Sequence, residues 1–254
     1  MSMPSLRGGG HRRRGGDEPV RVSVVIPTYN EAQAIGLVLG DVPADLVTEV
    51  IVVDSGSTDG TPQVARRMGA RVIQEPRRGY GRACLTGFTN AENPDVVVFL
   101  DGDYSDRPSE LPILLAPIID GRADITIGSR LSGKTMRSAL PWHQSLGNRL
   151  AAGLIRFLFD VRITDLGPFR AGRADVLRAL TLQETTYGWA VEMILKGAIA
   201  GVRIEEAPVS YHPRIGKSKI SGTVKGTIGA AWFILSRIAR YYFQPRRTGA
   251  ARPA

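Results

Sequence analysis

Short apolar runs alternate with longer amphipathic stretches through the first half of the chain. Runs rich in β-branched residues predict strands at 20–26, 49–53, 71–74 and 96–100. Amphipathic stretches predict helices at 30–39, 61–68 and 82–90. Because strand and helix alternate so regularly, we expect a mostly parallel sheet with helices on its faces, which is an α/β fold.

The second half of the chain is less regular. Strands are predicted at 124–128 and 202–213, and helices at 142–159, 173–180, 188–200 and 223–243. Turn residues at 164–170 predict a break between helices, and the aperiodic stretch 131–140 predicts a loop long enough to act as a lid. One stripe of the helix at 142–159 is expected to face the core: Leu146, Leu150, Leu154 and Phe157.

The last predicted helix, 223–243, carries a wide apolar face. Leu235, Ala239 and Tyr242 fall together on a helical wheel, and Ile234, Ile238 and Tyr241 widen that face. The apolar run is shorter than the roughly 20 residues that span a bilayer. Two interpretations stay open: the helix lies in a membrane interface, or it docks on the domain or on another subunit.

Composition divides the chain into four parts. Residues 1–19 form a basic tail with almost nothing apolar, and 244–254 form a second tail, so both are expected to be disordered. Residues 20–222 form the folded α/β domain, and 223–243 form the amphipathic helix. The tail arginines are followed by no apolar run of the kind that a signal peptide needs. The single cysteine, Cys84, excludes an intramolecular disulfide and is expected to pack in a helix.

The charge balance indicates an anionic partner. The 254 residues carry a formal net charge of +9, which suits nucleic acid, a membrane surface or a phosphorylated substrate. Nucleic-acid binding predicts aromatic residues among the basic ones, and the basic stretch 214–219 has none. We therefore expect no nucleic acid.

The chemistry concentrates where the strand at 96–100 runs into Asp101, Gly102 and Asp103. The carboxyl end of a buried strand is where open α/β sheets place ligands, and residues two apart in an extended segment point the same way. One carboxylate could bind a hard cation, and the other a water of that cation or a ribose hydroxyl. Since the chain contains neither G-x-G-x-x-G nor a P-loop, acids with Mg²⁺ or Mn²⁺ would have to hold any diphosphate.

Six segments together resemble a known family. Residues 24–31 (VVIPTYNE), 52–61 (VVDSGSTDGT) and 99–103 (FLDGD) resemble the family 2 glycosyltransferases with the GT-A fold. Residues 128–130 (GSR), 165–171 (DLGPFRA) and 214–219 (RIGKSK) resemble the branch that makes dolichyl- or polyprenyl-phosphate mannose or glucose. The resemblance covers about 20–221 and implies a peripheral enzyme at the cytoplasmic face of a membrane.

The resemblance assigns roles to individual residues. It places the donor's base and ribose on Pro27, Tyr29, Glu31 and Asp54. It places the metal and diphosphate on Asp101, Asp103 and Ser105. Many members have two acids where this chain has Asp54 and Ser55, and mannose synthases often have glutamine in place of Ser105, so the choices of UDP or GDP and of mannose or glucose stay open.

The leading hypothesis is inverting transfer of a hexose from a nucleotide sugar to a polyprenyl phosphate. Basic residues suited to the phosphate acceptor are Arg130, Arg214, Lys217 and Lys219. A phosphate acceptor is already ionised and needs no general base. The alternative is a hydroxyl acceptor, for which Asp165 or Glu192 would serve as the base.

Overall fold

The computed structural model describes residues 18–133, 142–216 and 224–243. A seven-stranded sheet with the order β3-β2-β1-β4-β6-β5-β7 forms its centre. The strands are β1 (Val22–Thr28), β2 (Glu49–Asp54), β3 (Arg71–Gln74), β4 (Val96–Phe99), β5 (Ile125–Ser129), β6 (Arg170–Arg173) and β7 (Ile204–Pro208). Only β6 runs antiparallel to its neighbours, β4 and β5. The prediction of a mostly parallel sheet is confirmed.

Helices cover both faces of this sheet. They are α1 (Ile35–Gly40), α2 (Thr61–Arg67), α3 (Tyr80–Thr89), α4 (Leu111–Ile119), α5 (Trp142–Phe159), α6 (Ala174–Ala179), α7 (Trp189–Ile199) and α8 (Val224–Phe243). Along β4, Val97 and Phe99 pack with residues of α3, α5, α7 and α8, whereas Val96 and Val98 pack with α1, α2 and α4. Because successive strand residues point to opposite faces, burial of both faces explains the unbroken apolar run. Cys84 is buried in α3 as predicted.

Strand register places at one edge of the sheet three loops that carry predicted site residues. β1 pairs in parallel with β2, so that Thr28 lies opposite Asp54, and with β4, so that Val25 lies opposite Phe99. The segments that follow these strands therefore leave the sheet on the same side. This edge carries the predicted chemistry of the first half of the chain.

Two elements differ from the sequence-based prediction. Residues 164–170 were expected only to turn, yet the chain enters β6 at Arg170 and inserts between β4 and β5. The buried Arg170 side chain donates to the carbonyl oxygens of Leu166, Gly167 and Ala190, so a charged residue is satisfied inside the fold. The helix α4 was not predicted, because Pro112 and Pro117 lie within it and proline usually breaks a helix.

Of the apolar stripe predicted for α5, Leu154 packs against the core as expected, but the other three residues do not. The side chains of Leu146, Leu150 and Phe157 are 50%, 65% and 84% exposed, so this ridge faces outward. The buried side of α5 consists instead of Ala151, Ala152 and Ile155. The small side chains of Ala151 and Ala152 allow α5 to approach the rest of the domain.

The terminal helix α8 has two apolar faces rather than one. Ile238 is fully buried, and Ile234 and Tyr241 pack against the same cluster. Leu235 and Tyr242 are about half exposed and Phe243 is 80% exposed. One face of α8 therefore docks on the domain, while the other, called the open face below, is largely exposed and meets α5 through Tyr242, whose ring centre lies 6.2 Å from that of Phe159. None of the helices in the described ranges is long and apolar enough to cross a membrane.

Candidate active site

A cleft of about 400 Å³ opens at the edge where β1, β2 and β4 end. Seven of the residues predicted for the donor, metal or acceptor line it: Pro27, Tyr29, Glu31, Asp101, Gly102, Asp103 and Arg214. Seven further residues complete the wall: Thr28, Ser55, Arg78, Gly79, Tyr80, Ala83 and Tyr187. Residues remote in sequence thus converge on one concave surface, which is the usual form of a small-molecule site.

Asp103 is held on both sides of its carboxylate. Its Oδ1 accepts hydrogen bonds from the amide and the hydroxyl of Ser105, at 3.0 and 2.6 Å. Its Oδ2 lies 2.8 Å from Nη2 of Arg214, and the same nitrogen lies 3.6 Å from Oε1 of Glu31. Ser105 is buried beneath Asp103. Its role in this structure is to orient that carboxylate.

Backbone pairing brings Arg214 to this position. The amides of His212 and Ile215 donate to the carbonyl oxygens of Ser105 and Asp103, both at 2.9 Å. The segment after β7 is thereby tied to the segment after β4. Tyr104, between the two acceptors, has a φ of 61°, a left-handed conformation that is costly for a bulky residue and is typical of functional sites.

Two further acids close to Asp103 in sequence, Asp101 and Asp106, lie in a low-dielectric environment. Oδ1 of Asp101 and both carboxylate oxygens of Asp106 are buried without a hydrogen-bond partner among the described residues. Burial, and then the charge of Asp103, raise the pKa of Asp101 to about 7. Burial and the charge of Asp101 also raise the pKa of Asp106. An added cation at this point would favour the ionised form of both acids.

Gly102 is required by packing. A Cβ at Gly102 would lie 2.9 Å from Cγ2 of Thr28 at the end of β1. Such a distance is too short for two carbon atoms, so a larger residue would push the loop after β4 away from β1. The glycine therefore fixes the position of Asp101 and Asp103 relative to Tyr29 and Glu31.

Asp54 holds the loop that follows β2. Its Oδ2 accepts the amides of Gly56 and Ser57, and its Oδ1 accepts the Ser57 hydroxyl. Asn30 then joins the loops after β1 and β2, since its amide donates to Ser57 Oγ and its Oδ1 accepts the Thr58 amide, both at 2.8 Å. Asp54 is buried and does not line the cleft, whereas its neighbour Ser55 does.

Arg130 and Asp165 form a buried pair. Nε and Nη2 of Arg130 each lie 2.8 Å from one oxygen of Asp165, and Asn148 and the Leu166 amide also donate to Asp165 Oδ1. Burial opposes ionisation of Asp165, but the hydrogen bonds and charge of Arg130 hold its pKa below the usual value. Asp165 consequently orients Arg130 and is poorly suited to accept a proton.

Arg130 and Asp165 do not line the cleft, and neither does Glu192. Glu192 is buried in α7, where its carboxylate accepts the amides of Gln183 and Glu184 and pairs with Lys196. Lys217 and Lys219, the predicted partners of Arg214, lie outside the described residues, as do residues 134–140 of the predicted lid.

Arg78, Tyr80 and Tyr187 were not predicted as site residues. Nη2 of Arg78 donates to the Tyr29 hydroxyl at 2.5 Å, and its guanidinium carbon lies 4.1 Å from the centre of that ring. The sequence signal was the basic, glycine-rich loop 77–81 between a strand and a helix. Tyr187 gave no such signal, because it reaches the cleft only through tertiary packing.

The acids fit a divalent cation that arrives together with a diphosphate. Within the described ranges, no cluster of three or more His, Cys, Asp or Glu side chains could hold a metal alone. Asp101 and Asp103 nevertheless offer carboxylate oxygens at the cleft, one of them unpartnered. Mg²⁺ characteristically binds through one or two carboxylates plus waters and substrate phosphates, so the residues suit this arrangement.

Comparison with solved structures defines the class of fold. Glucosyl-3-phosphoglycerate synthase from Mycobacterium tuberculosis, crystallised with Mn²⁺, UDP and glucosyl-3-phosphoglycerate, superposes with a TM-score of 0.70 at 21% identity. The match covers 90% of this chain and 82% of the synthase. The domain is thus of the GT-A type.

Comparison of sequences then shows the family. The sequence model described as Glycosyl transferase family 2 matches residues 23–181. A dolichyl-phosphate hexose transferase of Haloferax volcanii is 37% identical over 202 residues, covering 78% of this chain and 86% of the relative. An undecaprenyl-phosphate mannosyltransferase of Micrococcus luteus is 36% identical over 232 residues, covering 82% and 90%. The chain belongs to glycosyl transferase family 2 and is a glycosyltransferase.

Proposed function

We propose that this enzyme transfers glucose or mannose from a UDP-sugar or GDP-sugar donor to a polyprenyl or dolichyl phosphate. The observation that carries the proposal is the placement of Arg214 against Asp103 in one cleft. Arg214, which is suited to bind phosphate, and Asp103, which is suited to bind a metal, lie side by side there. The names of the relatives from Haloferax volcanii and Micrococcus luteus support a lipid-phosphate acceptor.

In this proposal the donor nucleotide lies across the ends of β1 and β2. Tyr29, stacked with Arg78, offers a flat surface for a base, and Glu31 offers a carboxylate for ribose hydroxyls. Asp54 acts indirectly, because its hydrogen bonds shape the loop that places Ser55 in the cleft wall. The diphosphate then points toward Asp101 and Asp103.

Asp101 and Asp103 would hold Mg²⁺ or Mn²⁺ together with the diphosphate. When bound, the cation offsets the negative charge that develops on the departing nucleoside diphosphate. Ser105 keeps Asp103 aimed into the cleft. Gly102 keeps the acids at the correct distance from β1.

Arg214 and Arg130 would receive the acceptor phosphate, with Lys217 and Lys219 beside Arg214 in sequence. An acceptor phosphate oxygen attacks C1 of the hexose from the face opposite the leaving group. The bond from C1 to the diphosphate oxygen breaks, and the anomeric configuration inverts. No proton has to be removed from the acceptor, so the pairing of Asp165 with Arg130 serves the reaction by orienting the arginine.

The second candidate is transfer to a hydroxyl, which needs a general base. The contacts of the two candidate bases disfavour it. The oxygens of Asp165 are engaged by Arg130, Asn148 and a backbone amide, and those of Glu192 by two amides, Lys196 and Tyr241. Each acid has its pKa held below the usual value despite burial.

We further propose peripheral association with the cytoplasmic face of a membrane. The exposed ridge of Leu146, Leu150 and Phe157 lies on α5 with the exposed Arg149 and Arg156. The open face of α8 adds Leu235, Tyr242 and Phe243. Apolar side chains flanked by cations suit a surface of anionic lipid.

A transfer assay with matched acceptors tests the function. The protein, Mn²⁺ and radiolabelled UDP-glucose, UDP-mannose, GDP-glucose or GDP-mannose are incubated with undecaprenyl phosphate or with undecaprenol, which lacks the phosphate. We expect label to enter the organic phase with one donor and only with the phosphorylated lipid. Equal labelling of undecaprenol would favour the hydroxyl acceptor, and no lipid labelling with any donor would overturn the proposal.

A further inference from the structure

We infer that Glu184 and Glu192 are positioning residues of the donor cleft, which tie α8 to the glycine turn that opens α3. This inference rests on the proposed function, since it takes the cleft to be the donor site. The connecting element is the loop 183–187 between α6 and α7. Neither acid lines the cleft.

Each acid divides its two oxygens between the loop and α8. Oε2 of Glu192 accepts the amides of Gln183 and Glu184 at 2.9 and 2.7 Å, and its Oε1 accepts the Tyr241 hydroxyl at 3.0 Å. Oε1 of Glu184 accepts the amides of Thr185 and Thr186. Its Oε2 lies 3.0 Å from Nη2 of Arg237 on α8.

The environment makes these bonds strong and directional. Glu192 is only 4% exposed, and Lys196 on the same helix lies 2.9 Å from its Oε1. Burial and then the charge of Glu192 raise the pKa of Tyr241 to about 12, so its hydroxyl remains a donor. Hydrogen bonds to a buried charge exceed those between neutral groups in strength, and a shift of α8 would therefore move the loop.

The loop in turn fixes the start of α3. Its Thr186 and Thr185 carbonyl oxygens accept the amides of Gly81 and Arg82 at 3.2 and 3.0 Å. A Cβ at Gly81 would lie 2.3 Å from the Glu184 carbonyl oxygen, and one at Gly79 would lie 2.3 Å from the Thr185 carbonyl oxygen. Only glycine permits this approach at either position.

The start of α3 and the end of the loop are walls of the cleft. Arg78, Gly79 and Tyr80 line it from one side of this contact, and Tyr187 lines it from the other. Arg78 also sets the position of Tyr29. The position of α8 thereby affects, through Glu184 and Glu192, the surface that would receive the nucleotide. The exposed face of α8 takes no part in these contacts.

The test removes the α8 side of both contacts in the double variant Arg237→Ala, Tyr241→Phe. Arg237→Lys serves as the conservative rescue, and Arg240→Ala as the control, because it deletes the same charge from an exposed position one turn further along α8. Two quantities are measured on the full chain: the Kd of UDP and of GDP with Mn²⁺ by calorimetry, and hydrogen exchange of the segment 79–84 without ligand.

We expect the double variant to raise the nucleotide Kd about threefold to tenfold and to speed exchange at Gly81 and Arg82. Arg237→Lys and Arg240→Ala should stay near the wild type. Unchanged exchange, faster exchange with an unchanged Kd, or an equal effect of Arg240→Ala would each overturn the positioning role. If the wild type binds neither nucleotide, the donor-site proposal falls and the positioning role falls with it. If it binds one and the double variant binds equally well, only the positioning role falls.

Discussion

Asp103 is held from two sides, by Ser105 and by Arg214. Removing its carboxylate in Asp103→Ala leaves Arg214 partly exposed to water, so the fold should survive. We expect transfer and Mn²⁺-dependent nucleotide binding to be lost. Asp120→Ala removes an exposed acid elsewhere and is the control. Full activity of Asp103→Ala, or of the wild type in excess chelator, would contradict a metal at this site.

Arg214 and a divalent cation would compete for the same oxygen of Asp103. The variant Arg214→Ala should therefore bind Mn²⁺ with nucleotide more tightly than the wild type. Its KM for the lipid phosphate should rise, because a phosphate ligand is lost. Calorimetry and steady-state kinetics measure the two effects, with the exposed Arg66→Ala as control. A collapse of nucleotide affinity with an unchanged acceptor KM would place Arg214 in the donor site instead.

The pair of Arg130 and Asp165 should contribute to the acid sensitivity of the fold. Asp165→Asn leaves Arg130 largely buried beside a neutral amide, and loss of one partner of a buried pair costs about 3–5 kcal/mol. The native pKa of Asp165 lies below its usual value of 3.8. Its contribution is therefore present above about pH 4 and is lost as the pH falls toward the native pKa.

Denaturant unfolding of the wild type and of Asp165→Asn at several pH values checks this prediction. The difference in the free energy of unfolding should be largest near pH 7 and should shrink below pH 4. A difference that is independent of pH would mean that the charge of Asp165 is unimportant to the fold.

At the level of single residues, sequence motifs reached only part of the cleft. Tyr29, Glu31, Asp101 and Asp103 directly follow apolar strands, so their common edge could be predicted from strand ends. The pairing of Arg130 with Asp165 joins residues 35 apart and follows from the position of β6, which was not predicted. Tyr187 depends on the same kind of tertiary contact.

At the level of elements, periodicity identified α5 correctly but not its buried side. The helix has apolar residues all around, and a hydrophobic stripe alone cannot distinguish Leu150 and Phe157 from Ile155. The choice is made by the neighbours, since small residues at 151 and 152 let the helix lie close to α7 and α8. Likewise, β6 contains glycine and two arginines, which is unusual for a central strand.

The orientation of α5 gives opposite expectations for two of its residues. Phe157→Ser should change the free energy of unfolding by no more than about 0.5 kcal/mol, as is usual for exposed positions. Ile155→Ala should cost about 2–5 kcal/mol, because Ile155 is fully buried. Chemical denaturation of both variants makes the comparison. A larger loss of unfolding free energy for Phe157→Ser than for Ile155→Ala would mean that Phe157 packs in the core.

For the whole molecule, the docked side of α8 changes which experiment can test membrane binding. Deleting α8 would uncover the pocket filled by Ile238 and would confuse folding with binding. The open face can be altered by itself, in the triple variant Leu235→Ser, Tyr242→Ser, Phe243→Ser. These side chains are 45%, 48% and 80% exposed, so the melting temperature should change little.

Binding of this triple variant to vesicles of anionic lipid should fall at least about tenfold, since each apolar side chain contributes on the order of 1 kcal/mol or more when it leaves water. Nucleotide binding should be preserved, because the contacts to Glu184 and Glu192 come from Arg237 and Tyr241 on the other side of the helix. Wild-type binding to anionic vesicles should also weaken with salt and be lower on neutral vesicles, as expected of the net charge of +9. Sedimentation of the protein with vesicles measures lipid binding and its dependence on salt and lipid charge, and calorimetry measures nucleotide binding. The variant Ile238→Ser is the control for a general loss of structure, because it should detach α8 from the domain. Undiminished sedimentation of the triple variant would mean that the open face of α8 is not the lipid-binding surface.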